Sequence, residues 1–370
     1  MTTPSDTSRC PTWVESPELS AFRDRVLRWT PEQINTGWED VLVPLGAAEA
    51  GEALGDADLR DWARNWLDAH DRAGIRETAR FLSSGLRVSG EPPGLYLYDY
   101  CGNWGAGLVA HAVGSDRGDS REREILVKVV ELILRDAVRG PGGVILHAAN
   151  VPAVWVDTLF YCAPVFARAF SATEKEVYAK EAVSQCRLHA AYLRNSRTGG
   201  WHHDANSHTR TRTASLWSRG QGWALSAMAD VLKYLPPDYE GVPEVLDLYR
   251  SLAEALVAFQ HDTGLWRTDP MNPASHLETS GSTMVLQGLC VGIEYGWLDP
   301  LTRQEVERGY RELRTWIHPD GRLMGSQSCS GPGGWDQLKL TPFGEDTYTT
   351  GFFLRLLAAR ARLDRGDASA

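Results

Sequence analysis

The run Val154-Trp-Val-Asp-Thr-Leu-Phe-Tyr-Cys-Ala-Pro-Val-Phe-Ala-Arg-Ala169 carries only two charges, Asp157 and Arg168, in sixteen residues. Wound as a helix it is apolar on almost every side, and such a helix must be buried all round. Trp223–Leu232 and Thr283–Gly292 read the same way. Between these segments lie amphipathic ones. Residues 119–137 carry Arg121, Glu122, Arg123 and Glu124 on a wet face, and 173–194 carry Glu174, Lys175 and Glu176. The two kinds alternate along the chain, which predicts an inner layer of helices wrapped by an outer one.

Apolar residues at helical spacing predict helices over 18–30, 58–74, 98–114, 119–137, 153–170, 173–194, 217–234, 242–260, 277–296, 301–317 and 346–363, with a shorter one from Trp38. Leu235-Pro236-Pro237, Arg139-Gly140-Pro141 and Asp299-Pro300 punctuate them. Each inner segment opens on a polar or aromatic cluster. Taking Trp38, Asp99, Asp157, Arg219, Glu278 and Asp346 as markers, the steps are 61, 58, 62, 59 and 68 residues. A repeat of this length signals stacked supersecondary units. Six helical hairpins closing on themselves give an all-α (α/α)6 barrel of six inner and six outer helices; an open solenoid is the alternative. No Pro/Ser-rich linker interrupts the pattern, so 13–363 reads as a single catalytic domain, with 1–12 and 364–370 as flexible tails.

The 370 residues carry 38 Lys and Arg against 48 Asp and Glu, a net charge of −10. An acidic surface argues against nucleic acid and anionic membranes as partners, because both require clustered cations. With 43% hydrophobic and 23% charged residues the composition is that of an ordinary globular protein, and disorder is excluded. Cys10, Cys101, Cys162, Cys186, Cys290 and Cys329 form no C-x-x-C pair, which fits thiols in a reducing compartment. Residues 1–13 lack the pattern of a signal peptide, and no run reaches the roughly 18–20 apolar residues of a membrane span. A cytoplasmic location is expected.

Several charges stand where few should be. Asp157 is the only acidic residue between Val144 and Glu174, Asp99 the only charge between Glu91 and Asp116, and Arg219 is alone between Arg212 and Asp230. Glu278 likewise opens an uncharged run. Singly, each reads as an ion pair or a helix cap. At equivalent places in a ring of inner helices they converge on one end of the barrel. Trp155, Trp201, Trp217, Gln221, Trp223 and Trp266 accompany them, with His147, His202, His203 and Asn206 in connecting loops. Carboxylates, a guanidinium and flat rings suit an acidic sugar. Competing chemistries lack their signatures: the histidines show no zinc spacing, Gly325-Ser-Gln-Ser-Cys329 is no nucleophile elbow, and Gly331-Pro-Gly-Gly334 is followed by no G-K-[ST]. No metal or other cofactor is expected.

Three stretches resemble the unsaturated uronyl hydrolases of glycoside hydrolase families 88 and 105, the unsaturated rhamnogalacturonyl hydrolases most of all. Trp155-Val-Asp-Thr-Leu-Phe-Tyr161 followed by Pro164 is similar to W-[VL]-D-x-L-[YF]-M-x-x-P. Trp217-Ser-Arg-Gly-Gln-Gly-Trp223 is similar to W-x-R-G-N-G-W, and Leu277-Glu-Thr-Ser-Gly-Ser-Thr-Met284 to E-[TA]-S-G-S-x-M. The likeness runs from about Trp38 to Leu357 and implies the (α/α)6 barrel. It also implies hydration of the C4=C5 double bond that a polysaccharide lyase leaves on a uronic acid at the non-reducing end. One aspartic acid protonates the vinyl ether and then activates water for addition at the neighbouring carbon. The hemiketal rearranges and the aglycone departs.

By motif position Asp157 is that acid and base, and Asp99, with a one-residue shift in its motif, is the second carboxylate. A carboxyl that donates near neutral pH needs a raised pKa, which apolar neighbours or Asp99 would provide. Trp38, His147, His203, Trp217, Arg219 and Trp223 are the implied substrate-binding residues, Arg219 near the substrate carboxylate and the tryptophans as platforms. Glu278 reads as structural. Asp204 replaces the glycine usual after the histidine. The expected partner is a small acidic oligosaccharide, taken up by a monomer or homodimer. Three other readings compete: an inverting glycosidase using Asp99 and Asp157, an epimerase-like isomerase, and a non-catalytic sugar-binding barrel.

Overall fold

The computed structural model describes residues 16–34, 37–72, 97–114, 120–147, 151–328 and 343–366, with the side chains of 97–103 outside that description. Among the described residues twelve α-helices follow one another: α1 (Pro17–Arg28), α2 (Leu42–Leu54), α3 (Ala57–Arg72), α4 (Leu97–Gly114), α5 (Ser120–Asp136), α6 (Val156–Thr173), α7 (Glu176–Leu193), α8 (Ser218–Tyr234), α9 (Val242–Phe259), α10 (Thr279–Glu294), α11 (Arg303–Thr315) and α12 (Thr347–Arg365). The even-numbered helices form the inner ring, each packed on the next, and α12 closes it against α2. The odd-numbered ones lie outside.

Burial follows the two sequence patterns. Every residue from Ser218 to Leu232 on α8 is buried, as is every residue from Val156 to Ala169 on α6. On the outer α11 only Val306, Gly309, Tyr310 and Leu313 are buried, a single stripe at helical spacing. The ring closes with backbones in contact. A Cβ on Gly46 of α2 would lie 2.2 Å from the Gly351 carbonyl oxygen of α12, so a side chain at this crossing would push the two helices apart.

Three helix starts and one helix end differ from the sequence expectation. The helices expected from 153 and from 277 begin at Val156 and Thr279, because the preceding residues are strands of short ribbons. The helix expected from Trp38 begins at Leu42, after a turn. The three ribbons are antiparallel: β1 (Ala153–Trp155) with β2 (Asp204–Asn206), β3 (Trp266–Arg267) with β4 (Leu277–Glu278), and β5 (Ser326–Gln327) with β6 (Phe343–Gly344). All lead into the N-terminal ends of inner helices. Helix α12 continues to Arg365, into the segment read as a tail, and residues 1–12 lie outside the described residues.

At the opposite end, deep along the inner helices, four charges form a closed ring. Arg168 of α6 reaches Glu49 of α2 at 2.6 Å and Asp230 of α8 at 2.8 Å. Arg355 of α12 reaches the same two carboxylates, each at 2.8 Å. Burial disfavours both carboxylates as anions, but the two arginines outweigh it and hold their pKa values below the ordinary range. Removing one member of such a set strands buried charge, at a cost of about 3–5 kcal/mol. Asp230→Ala is therefore expected to lower the unfolding free energy in urea by about that amount. Arg187→Ala, which breaks the exposed Arg187–Glu244 pair, is expected to cost less than about 1 kcal/mol. Equal effects would show that the ring does not carry the stability assigned to it.

Candidate active site

The β1–β2 ribbon pairs Trp155 with Asp204, and the amide of Val156 donates to the His203 carbonyl at 2.9 Å. This register sets His203 beside Asp157, the second residue of α6. The His203 Nε2 lies 3.5 Å from Asp157 Oδ2, and its Nδ1 lies 3.7 Å from Asp204 Oδ2. These are ion-pair separations, longer than formed hydrogen bonds. Asp157 and His203 are buried and Asp204 is half-buried.

Aromatic and cationic groups continue from this trio around the mouth. His147 stacks on Trp155 with ring centroids 3.9 Å apart, and its Nδ1 is 3.0 Å from the Thr158 hydroxyl. Trp155 and Trp217 flank the His203 ring at 5.1 and 4.7 Å. The Arg219 guanidinium lies 4.2 Å from the Trp217 ring and 4.8 Å from that of Tyr348. Tyr348 in turn stacks on Trp38 at 5.5 Å. Trp38 is half-buried, whereas Trp223 beneath it is fully enclosed by Phe160, Tyr161 and Phe352. Trp223 thus supports Trp38 from below and presents no open face.

Hydrogen bonds explain how the rest of the wall is held. Arg219 donates to the Ser280 hydroxyl at 3.0 Å and to the carbonyls of Gln327 and Ser328 at 2.5 and 3.2 Å. Its guanidinium thereby ties α8 to β5 and to Ser328 just after it. The Trp217 indole donates to Gln327 Oε1 at 2.7 Å. Glu278 caps α10, accepting from the amides of Ser280 and Gly281, each at 2.6 Å, and from the Ser218 hydroxyl at 2.6 Å. So saturated a carboxylate is a structural one. Asp99 lies in the first turn of α4, also at the mouth, but its side chain is outside the described residues.

Asp157 departs from expectation in its charge. Burial pushes its pKa up, but the His203, His147 and Arg219 side chains outweigh this and hold it below the usual carboxylate range. The free protein therefore holds Asp157 ionised. Asp204 moves the other way, raised by burial and by the Asp157 charge against the pull of His203. Glu39 and Asp346, near Arg219, are also raised, first by burial. Among the described residues no three His, Cys, Asp or Glu side chains gather as metal ligands would.

Residues 17–362 match the model of Glycosyl Hydrolase Family 88. The chain belongs to that family. The resemblance seen in its motifs is borne out, and this family 88 protein is a glycosidase of the unsaturated uronyl hydrolase type. It is 24% identical over 314 residues to an unsaturated rhamnogalacturonyl hydrolase of Bacillus subtilis, covering 83% of each chain. A possible family 105 member from Klebsiella pneumoniae has the same fold, with a TM-score of 0.82 at 18% identity over 98% of this chain and 96% of that one. The unsaturated glucuronyl hydrolase of Bacillus sp. GL1 is similar with a TM-score of 0.65 at 17% identity, over 90% and 88% of the two chains. The (α/α)6 barrel expected from the period is thus the observed fold.

Sequence reasoning passed over Asp204, Tyr348 and Gln327, which the fold places beside the candidate site of this family 88 protein. Asp204 follows His203 directly, and adjacent residues of an extended segment ordinarily face opposite ways. Here both carboxylates meet one imidazole because the ring presents its two nitrogens to opposite sides. Gln327 enters through the β5–β6 ribbon, whose pairing no periodicity signals, and Tyr348, the second residue of α12, meets it by donating its hydroxyl to the Gln327 carbonyl.

Burial also sets a pH dependence of stability. Desolvation lowers the pKa of His147 to about 4, against the pull of Asp157, and that of His189 on α7 to about 4 as well. The unfolded chain takes up these protons near pH 6.5, whereas the folded one resists until about pH 4. Stability is therefore full above about 6.5 and falls on acidification between 6.5 and 4, by about 1.4 kcal/mol per pH unit for each histidine. His189→Gln is expected to flatten the urea-measured slope in that window by one histidine's share. An unchanged slope would refute the neutral buried state.

Proposed function

We propose that this family 88 glycosidase removes a 4,5-unsaturated uronic acid, galacturonyl or glucuronyl, from the non-reducing end of lyase-derived oligosaccharides by hydrating the C4=C5 bond, with Asp157 as acid and base. The observation that supports it best is a buried carboxylate at the barrel mouth, 3.5 Å from a fully enclosed histidine and walled by aromatic rings. The proton goes from Asp157 to C4, leaving positive charge at C5 that the ring oxygen shares. Water adds at C5 as Asp157 takes back a proton, and the resulting hemiketal opens to expel the aglycone. No covalent sugar–enzyme bond forms, so no second carboxylate is needed across the glycosidic bond, in contrast to conventional glycosidases.

Asp157 has to carry a proton at the start, although the free protein favours its anion. The substrate's own carboxylate resolves this. A negative charge bound beside His203 and Arg219 offsets the cations that depress Asp157 and raises its proton affinity. Saturated neutral glycosides would not produce that effect. His147, His203, Trp217 and Arg219 are assigned to the substrate side of the wall, with Trp38 as the platform, Trp223 as its support and Asp99 as a second carboxylate.

The pectin-type rhamnosyl aglycone is the preferred one, on the strength of the rhamnogalacturonyl hydrolase likeness over most of both chains. We read 13–363 as one catalytic domain acting in the cytoplasm as a monomer or homodimer, without nucleic acid or membrane partners. Among the described residues no helix is long and apolar enough to cross a membrane.

The test follows the ultraviolet absorbance of unsaturated galacturonyl-rhamnose and of an unsaturated glucuronyl disaccharide, since hydration destroys the conjugated double bond. Wild type should bleach one or both, and Asp157→Asn should slow turnover by about 10²–10⁴-fold. Flat absorbance with cleavage of saturated glycosides would put an inverting two-carboxylate enzyme in its place. Silence on every sugar would favour a binding barrel.

A further inference from the structure

We infer that Asp204 is a positioning residue that, through His203, sets the pH range in which Asp157 holds its proton; this rests on the assignment of Asp157 as acid and base. The His203 imidazole is fully buried, with one carboxylate oxygen facing each nitrogen, Asp157 Oδ2 at 3.5 Å from Nε2 and Asp204 Oδ2 at 3.7 Å from Nδ1. All four of these atoms are buried without a formed hydrogen bond. Buried polar atoms are rarely left so, because each unpaired one bears an uncompensated desolvation cost. Four of them in one row, each facing a complementary neighbour, form a path along which a proton is shared.

The surroundings fix the direction of that sharing. Among the described residues His147, from the segment before β1, and Arg219, from α8, face Asp157 together with His203. Asp204 is influenced by His203 and Asp157, and the Thr213 hydroxyl receives its backbone amide at 3.2 Å. Trp155 and Trp217 hold the imidazole between them. With Asp204 as a carboxylate, Nδ1–H is drawn to it, and a proton on Nε2 is directed at Asp157. The proton then passes from Nε2 to Asp157 Oδ2. The electron pair of the broken N–H bond stays on Nε2, leaving a neutral imidazole and a carboxylic acid. Nothing else is consumed.

Asp204 adds a second effect of the same sign. Its negative charge, on the far side of the ring, raises the proton affinity of Asp157 directly. Both effects keep protons in the row at higher pH than a chain with an uncharged residue at this position would. The role is one of range, because the bond-making steps use Asp157 alone.

The experiment compares wild type with Asp204→Asn, which keeps the size of the side chain and removes its charge, and with Asp204→Glu. The His203 ring is followed by NMR of histidine-labelled protein, its signal assigned through His203→Gln. The titration midpoint is expected to fall by about one pH unit in Asp204→Asn and to be largely restored in Asp204→Glu. In the bleaching assay the alkaline limb of the kcat profile should move to lower pH by the same amount, with KM changed less than about twofold. An unmoved His203 midpoint overturns the inference whatever the activity, and so does a moved midpoint with an unmoved rate profile. A moved midpoint in a protein inactive on unsaturated uronides would overturn the role of Asp157 instead, leaving the Asp204–His203 coupling in place.

Discussion

The ring of Glu49, Arg168, Asp230 and Arg355 is the constraint on which the barrel depends. Its members come from α2, α6, α8 and α12, and the Arg355–Glu49 contact joins residues 306 apart in sequence. Apolar packing alone would hold neighbouring helices side by side without fixing their depth, since one leucine surface slides readily over another. Four alternating charges in a buried lattice have a single low-energy arrangement, because any axial slip strands an ion in a medium that solvates it poorly. Two of the links, α2 to α6 and α8 to α12, join helices that are not ring neighbours and so cross the interior. The far end is thereby closed and four of the six inner helices are held in register.

Register at the far end determines what meets at the mouth. An inner helix displaced by one residue moves its first turn by about 1.5 Å and rotates it by about 100°, which would carry Asp157 away from His203. The ribbons then add the second layer of positioning. Each lies immediately before an inner helix, and the β1–β2 register brings the residue after the strand, Val156, onto the His203 carbonyl. Arg219 ties β5 and the following Ser328 to α8 through two carbonyls while its flat guanidinium is enclosed between Trp217 and Tyr348. The same residue therefore serves electrostatics and architecture together. Its positive charge also lowers the pKa of Asp157, so the strap and this carboxylate are linked.

How far this could be read from the chain depends on the range of each interaction. The helices and their two classes were legible because helical burial repeats locally, and the 60-residue step was legible because every hairpin repeats the same task. Asp157 stood out because a carboxylate opens an apolar run. Arg168, Asp230 and Arg355 break apolar runs just as plainly, but their partners lie 62 to 306 residues away and no local pattern says which charge meets which. The expected rise in the Asp157 pKa came from its apolar sequence neighbours or from Asp99 as a second carboxylate. Its actual neighbours include His203 and Arg219, which arrive through a ribbon and an adjacent helix and reverse the sign. Asp204 was visible only as a departure from a glycine, and its meaning depended on which nitrogen of His203 faced it.

The two ends of the barrel treat buried charge in opposite ways, and the contrast bears on how an acidic protein can receive an acidic sugar. At the closed end each carboxylate meets two arginines at hydrogen-bonding distance, and nothing there is poised to change its proton count. At the mouth, Asp157, His203 and Asp204 stand at 3.5 and 3.7 Å, just beyond hydrogen-bonding contact, in a group whose proton count a new charge can alter. The inner helices also start at this end, and their N-terminal amides contribute partial positive charge towards the same space. A net charge of −10 spread over the surface is screened beyond about 8–10 Å at physiological salt, while these local donors and dipoles are not. The field that a bound uronate meets is therefore that of the mouth. On the proposal that Asp157 is the acid and base, its arrival supplies the charge that shifts Asp157 from the form the free protein favours to the form that chemistry requires.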